Sequence, residues 1–198
     1  MPLAAELKAD FEWAKSIAVG PGLSMNGVAA EITRCVLERD DKVRILDADA
    51  LNIIAAEHID YKGSNEGKII ITPHIMEMSR LTGKTVSDIK EHMIETAKEY
   101  AIQHSCICIL KDARTVVTDG QKVYINCTGN DGMSTGGSGD VLTGLIAGMA
   151  AIGLDAFDAA CLSVYVHGKA GDLAAQQKGR TGMTASDIAE AIAYVLKR

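Results

Sequence analysis

Short apolar runs alternate along this chain with longer stretches whose apolar residues recur every three to four positions. Ser16-Ile-Ala-Val-Gly20, Val43-Arg-Ile-Leu46, Lys68-Ile-Ile-Ile-Thr72 and Cys106 to Leu110 have the length and the β-branched content of buried strands. Helical spacing governs residues near 4–15, 24–38, the segment after Asp47, 74–81 and 85–104. Thr115-Val-Val-Thr118 and Lys122-Val-Tyr-Ile125 flank Asp119-Gly120 and predict a hairpin. Three helices close the chain, near 139–151, 155–177 and 184–197, with Thr184 or Ser186 as the cap of the last. Strands separated by helices predict an α/β fold with a mostly parallel sheet covered on both faces. No repeat or composition shift marks a boundary, so residues 1–198 read as a single domain. Ligand sites in such folds gather at the carboxyl ends of the strands. Gly20-Pro-Gly22, Asp47-Ala-Asp49, Pro73-His74 and Lys111 each follow an apolar strand immediately, so four strand ends are expected to point to one edge.

Composition narrows the picture. Hydrophobic residues make up 47% of the chain and aromatics only 4%, which predicts a core of Ile, Leu, Val, Ala and Met. A net charge of −6 argues against a nucleic-acid partner, which demands a basic face, but not against a nucleotide, whose phosphates main-chain amides can hold. Cys35, Cys106, Cys108, Cys127 and Cys161 are odd in number and lack metal-type spacing, so they read as buried, reduced thiols of a cytoplasmic protein. Alternation puts Cys106 and Cys108 on one side of their strand. No apolar run is long enough to span a bilayer, and Met1 to Glu6 lacks the pattern of a signal peptide.

The densest chemistry lies in Thr128-Gly-Asn-Asp-Gly-Met-Ser-Thr-Gly-Gly-Ser-Gly-Asp140, which runs into the apolar helix from Val141. A glycine-rich loop entering a helix presents unpaired N–H groups and the positive end of the helix dipole, a site for phosphate. A carboxylate beside phosphate is repelled by it, and makes sense there as a base that takes a proton from a neighbouring hydroxyl. The bland alternative makes Asp140 a plain carboxylate at a helix start. Gly144 and Gly148, four residues apart, are expected to allow close helix packing. Gly63 to Ile69 imitates a Walker loop but lacks its spacing and its Ser/Thr after the lysine, and Leu142 spoils a dinucleotide fingerprint at Gly137-Ser-Gly139.

Thr135-Gly-Gly-Ser-Gly-Asp-Val-Leu-Thr-Gly144 resembles the anion-hole motif of the ribokinase-like superfamily. The longer string from Gly129 to Asp140 is similar to that of the ADP- or ATP-dependent NAD(P)H-hydrate dehydratases. Gly20-Pro-Gly-Leu23, Ile45 to Asn52, Ile71-Thr-Pro-His74, Leu110 to Val116 and Thr184-Ala-Ser-Asp-Ile188 also resemble family blocks, in family order. The sequence departs from the family at Asp131, where proline is usual, at Ser138 for threonine, at Ile75-Met76 for Pro-Gly, and at Asp112 for glycine.

The resemblance implies a ribokinase-like three-layer α/β/α sandwich. It implies that the hydroxyl of hydrated NADH or NADPH (NADHX or NADPHX) is phosphorylated by ADP or ATP and that the phosphate then leaves. Asp140 would be the catalytic base, with Gly136, Gly137 and Gly139 as the anion hole. Gly22, His74, Asp49, Asn52 and Asp140 would contact substrate, and Asp47 belongs to the same region. Lys111, Asp112, Ala113, Arg114, Thr115 and Gly139 would hold the nucleotide. For His74 the rival is a hydrogen-bonded surface histidine, for Lys111 a solvated lysine, and for Asp49 a helix cap. Mg²⁺ is expected on the nucleotide phosphates, with no protein cage of its own. Family members are often homotetramers, so a homo-oligomer is expected. In the family an opening portion with the first strands precedes the Gly-Pro-Gly turn. The domain is therefore expected to lack its N-terminal strands and to leave a sheet edge for a missing segment or a partner chain. Two other readings stay open: a kinase of a vitamin-like alcohol, and a non-catalytic nucleotide-binding fragment.

Overall fold

Strand-forming runs of Ile, Val and Leu, buried on both faces, dictate the architecture. The computed structural model describes residues 3–64 and 68–197. Asn65, Glu66 and Gly67 of the Walker-like stretch lie outside the described residues, as do Met1, Pro2 and Arg198. Among the described residues six strands form one sheet in sequential order. They are β1 (Ser16–Val19), β2 (Val43–Leu46), β3 (Ile69–Ile71), β4 (Ile107–Leu110), β5 (Val116–Thr118) and β6 (Val123–Ile125). The first four are parallel, and β5 and β6 add the expected antiparallel hairpin. Among the described residues β1 pairs with β2 alone and forms one edge.

The alternation of each strand divides the core in two. Leu46, Ile69, Ile71, Cys106, Cys108 and Leu110 face one layer. That layer holds α1 (Leu3–Trp13), α2 (Gly27–Leu37), α3 (Ala48–Ala56), α4 (Ile75–Thr82), α5 (Val86–Glu91) and α6 (Met93–His104). Ile45, Ile70, Ile107, Ile109 and Val117 face α7 (Ser138–Ala151) and α8 (Ala156–Lys178) on the other side. Met183, Ile188 and Ala191 seat α9 (Ala185–Val195) against Ala170 and Ala174 of α8. The three layers bear out the α/β/α expectation, and Cys106 and Cys108 do share a side.

Three local expectations need correction. The helix read over 85–104 is broken at His92, whose φ of −128° and ψ of 45° end α5 and start α6. No glycine or proline stands there; both pieces bury into the same cluster, through Ile89 and Ala97. Gly144 and Gly148 do not serve close packing: both are exposed, and nothing lies within 4 Å of a Cβ built on either. Cys127 is exposed and Cys35 and Cys161 are half-buried, so only Cys106 and Cys108 are the buried thiols expected.

Caps fall where side-chain chemistry places them. Asn26 Oδ1 accepts from Ala29 N at 2.9 Å and starts α2. Asn26→Ala is expected to cost about 1 kcal/mol, read as a small drop in thermal midpoint with activity retained.

Candidate active site

The carboxyl ends of β1 to β4 meet the start of α7. At the end of β1, Gly20 has φ of +126°, and a Cβ there would lie 1.8 Å from the Asp47 carbonyl oxygen. Only glycine lets the Gly-Pro-Gly turn sit this close to the end of β2. The turn is pinned again by Asp49, whose Oδ2 accepts from Ser24 N at 2.7 Å. Asp49 therefore does not cap α3; Asp47 holds the cap position, without a side-chain cap bond.

Asp47 is 2% exposed and fully engaged. Its Oδ1 accepts from Lys111 Nζ at 2.9 Å, and its Oδ2 from Thr143 Oγ1 of α7 at 2.7 Å. Lys111 is therefore not a solvated lysine. The main chain of Lys111 bridges to His74, and its N–H donates to Pro73 O at 2.8 Å, which brings the ends of β3 and β4 into register.

His74 caps α4. Its Nδ1 accepts from Met76 N at 3.1 Å and from Glu77 N at 3.2 Å, while Glu77 Oε2 accepts from His74 N at 2.8 Å. An accepting Nδ1 puts the ring proton on Nε2, which lies 3.5 Å from Glu77 Oε1 on a half-exposed ring. The hydrogen-bonded histidine weighed as the rival is thus present, and Nε2–H remains open to a ligand. Burial raises the Glu77 pKa, against the pull of the His74 amide and of Lys111. This His–Glu capping box, with Ile75 buried, closes the turn that Pro-Gly would otherwise form.

Gly137 caps α7 in the left-handed region at φ of 86°. Gly139 and Asp140 follow in the first turn, where no preceding turn offers their N–H groups a carbonyl. A Cβ on Gly139 would lie 3.5 Å from Lys111 Nζ and 3.8 Å from Asp47 Oδ2, so this turn lies against the ion pair. Gly136 is exposed with open space around it. Asp140 is exposed, and among the described residues no hydrogen bond or ion pair holds its carboxylate. Main-chain amides, the dipole of α7 and the Lys111 ammonium together suit an anion, with a free carboxylate at its side.

The remaining candidates lie farther out. Asn52 Oδ1 accepts from Arg80 Nη1 at 2.7 Å. Both line a cleft of about 520 Å³ with Met25, Ala55 and Ala56, apart from the charged cluster. Gly22, at φ of +66°, turns in open space. Asp112, Ala113 and Arg114 are exposed, and Thr115 Oγ1 reaches Asp112 O at 3.4 Å. Among the described residues no group of three His, Cys, Asp or Glu side chains is placed to hold a metal ion.

Sequence reasoning missed the support beneath this site. Asp172 of α8 accepts from Gly129 N at 3.1 Å and from Asn130 Nδ2 at 3.0 Å. His167 lies 3.4 Å from Ser138 Oγ. The signal was available as polar residues and glycines in His167-Gly-Lys-Ala-Gly-Asp172, directly after the largely apolar stretch from Ala159 to Val166. Burial lowers the His167 pKa from 6.5 to about 4, and Lys111 adds to the effect while a bond to Ser138 main chain opposes it. The unfolded chain therefore takes up this proton first on acidification. The associated stability is complete above about pH 6.5 and is lost as pH falls toward 4. Thermal scans over that range should show a decline that His167→Gln flattens.

The sequence model of the Carb_kinase family, NAD(P)H-hydrate dehydratase, matches residues 2–194. The bifunctional NAD(P)H-hydrate repair enzyme Nnr of Moorella thermoacetica is 46% identical over 183 residues, covering 91% of this chain and 34% of the relative. The Nnr of Thermofilum pendens is 41% identical, over 85% of this chain and 32% of its own length. The ADP/ATP-dependent NAD(P)H-hydrate dehydratase of Bacillus subtilis, co-crystallised with ATP and Mg²⁺ and soaked with CoA, superposes with a TM-score of 0.82 at 31% identity. That match covers 94% of this chain and 69% of the other. Hydroxyethylthiazole kinase from Pyrococcus horikoshii, at 14% identity and a TM-score of 0.71, shares the fold alone. The chain thus spans about a third of the curated relatives and about two thirds of the solved dehydratase. Within that span the family model and the relatives' identity are decisive: the chain belongs to the NAD(P)H-hydrate dehydratase family.

Proposed function

We propose that this chain carries out the nucleotide-dependent dehydration of NADHX and NADPHX. The observation that carries the reading is the first turn of α7 lying against the Asp47–Lys111 pair, with the Asp140 carboxylate beside it and unengaged. Asp140 takes the proton of the ring hydroxyl. The oxygen attacks the terminal phosphorus of ADP or ATP, whose bridging P–O bond breaks with its electron pair left on AMP or ADP. The C–O bond of the phosphate ester then breaks, phosphate leaves with the pair, the adjacent ring carbon loses a proton, and the double bond reforms. Gly136, Gly137 and Gly139 stabilise the transferring phosphoryl through their amides.

His74, Gly22, Asp49 and Asn52 are assigned to substrate, and Lys111 to Thr115 to the nucleotide. Asp47 fixes Lys111 rather than touching phosphate itself. Mg²⁺ fits as a companion of the phosphates, since Asp47 is committed to Lys111 and Thr143; when bound, it neutralises phosphate charge. The free thiols support a reducing, cytoplasmic setting, and the edge of β1, which among the described residues pairs with β2 alone, supports association with a further segment or chain. Incubation with NADHX and each nucleotide tests the reading. Recovery of NADH absorbance matched by released phosphate supports it. A stable phosphorylated product would instead indicate a kinase, and nucleotide binding without turnover a non-catalytic subunit.

A further inference from the structure

Helix α8 fastens the glycine-rich loop at both of its ends. At the entry, Asp172 takes one hydrogen bond from the main chain of Gly129 and one from the side chain of Asn130. At the exit, the ring of His167 faces both the hydroxyl and the main chain of Ser138, the first residue of α7. The loop, and Thr128 just ahead of it, lie directly on the helix. A Cβ on Gly168 would lie 2.1 Å from Thr128 Oγ1 and 2.8 Å from its main-chain carbon, and one on Gly171 would lie 2.2 Å from Met133 Sδ.

The exit is the more consequential end, because Ser138 separates Gly137 from Gly139. Ser138 takes no outward role: its N–H turns back to Thr135 O at 3.3 Å, and its side chain is buried against α8. His167 is itself 8% exposed, so water cannot readily replace it as a partner. The neutral ring leaves the positive potential at this helix end to the amides and Lys111. The hydroxyl at position 138 therefore has a structural address, in the contact with α8.

We propose that His167 is a positioning residue: through Ser138 it fixes the direction of the Gly137 and Gly139 amides, so that the anion cradle is set before a phosphate arrives. This rests on the reading of that loop as a phosphate cradle. Preorganised donors act on the charge that develops during transfer more than on the bound ground state. Small displacements of such donors cost rate steeply.

His167→Ala and Ser138→Ala are each expected to lower kcat by about 10- to 100-fold with KM values for nucleotide and NADHX within about threefold. Because the two residues act as one unit, the double variant should be no slower than the worse single one. Ser138→Thr, which keeps the hydroxyl, should recover most of the rate. Multiplying losses, an unchanged kcat in His167→Ala, or a change confined to KM would each overturn the proposal. If His167→Ala does not fold, Ser138→Ala decides alone, since it removes a single oxygen. Amide exchange at Gly139 and Asp140 needs no turnover: faster exchange in both variants supports the proposal, and unaltered exchange overturns it. Absence of phosphate release by the unmodified chain would instead count against the dehydratase reading.

Discussion

Asp140→Asn is expected to lower turnover of NADHX by about 10²- to 10⁴-fold, the range for loss of a general base. The substitution keeps the shape and removes only the capacity to take a proton. Asp140 is exposed and without a side-chain partner among the described residues, so the fold loses no contact and only the charge–dipole attraction at the start of α7, about 0.3 kcal/mol at such exposure. Thermal midpoint should stay within about 1 °C, as for surface changes away from any named structural role. Nucleotide affinity should hold or improve, because a negative charge next to the phosphates is gone. A steady-state assay with a parallel melting curve reads all three. A variant that turns over within tenfold of the unmodified chain would falsify the assignment of the base.

Asp47→Ala should produce the largest loss of stability. Asp47 is buried, and its removal leaves Lys111 Nζ and the buried Thr143 Oγ1 without their partner. Breaking a buried pair on one side costs about 3–5 kcal/mol. The Lys111 side chain is 21% exposed and recovers some solvation, so about 2–4 kcal/mol is expected, a fall in thermal midpoint of roughly 5–15 °C for a chain of this size. Asp47→Asn should lose less, since the amide oxygen still accepts from Thr143. Replacing both partners, as Asp47→Leu with Lys111→Met, should regain part of the stability but not the activity, because no cation then remains beside Gly139. Equal midpoints for Asp47→Ala and the unmodified chain would refute the account of this pair.

Much of the site was legible before the fold was known. The Gly-Pro-Gly turn, Asp47, His74 and Lys111 each end an apolar run, and in a parallel sheet such ends share an edge. The glycine loop with Asp140 at its exit carries its own chemistry in consecutive residues. Partnership was not legible. For Lys111 the sequence leaves a nucleotide contact and a solvated lysine side by side, because its counter-charge stands 64 positions away. His74 offers two roles in sequence, and the capping box it forms with Glu77 was not legible, because nothing in the sequence shows that its Nδ1 turns onto the α4 amides. Asp49 offers a substrate contact or a helix cap in sequence, and the approach of the Gly-Pro-Gly turn is what brings its carboxylate to Ser24 N.

The sequence by itself determined the order of strands and helices, the two-sided burial of the sheet and the residue types at its carboxyl edge. Those depend on periodicity and turn chemistry within a few residues. Tertiary structure alone decided the break at His92, the exposure of Gly144 and Gly148, and the contacts of Asp47 with Thr143 and of His167 with Ser138. These join residues 96 and 29 positions apart. The physical reason is that a side chain's partner is fixed by which faces pack together, and packing joins distant parts of the chain that no local pattern relates.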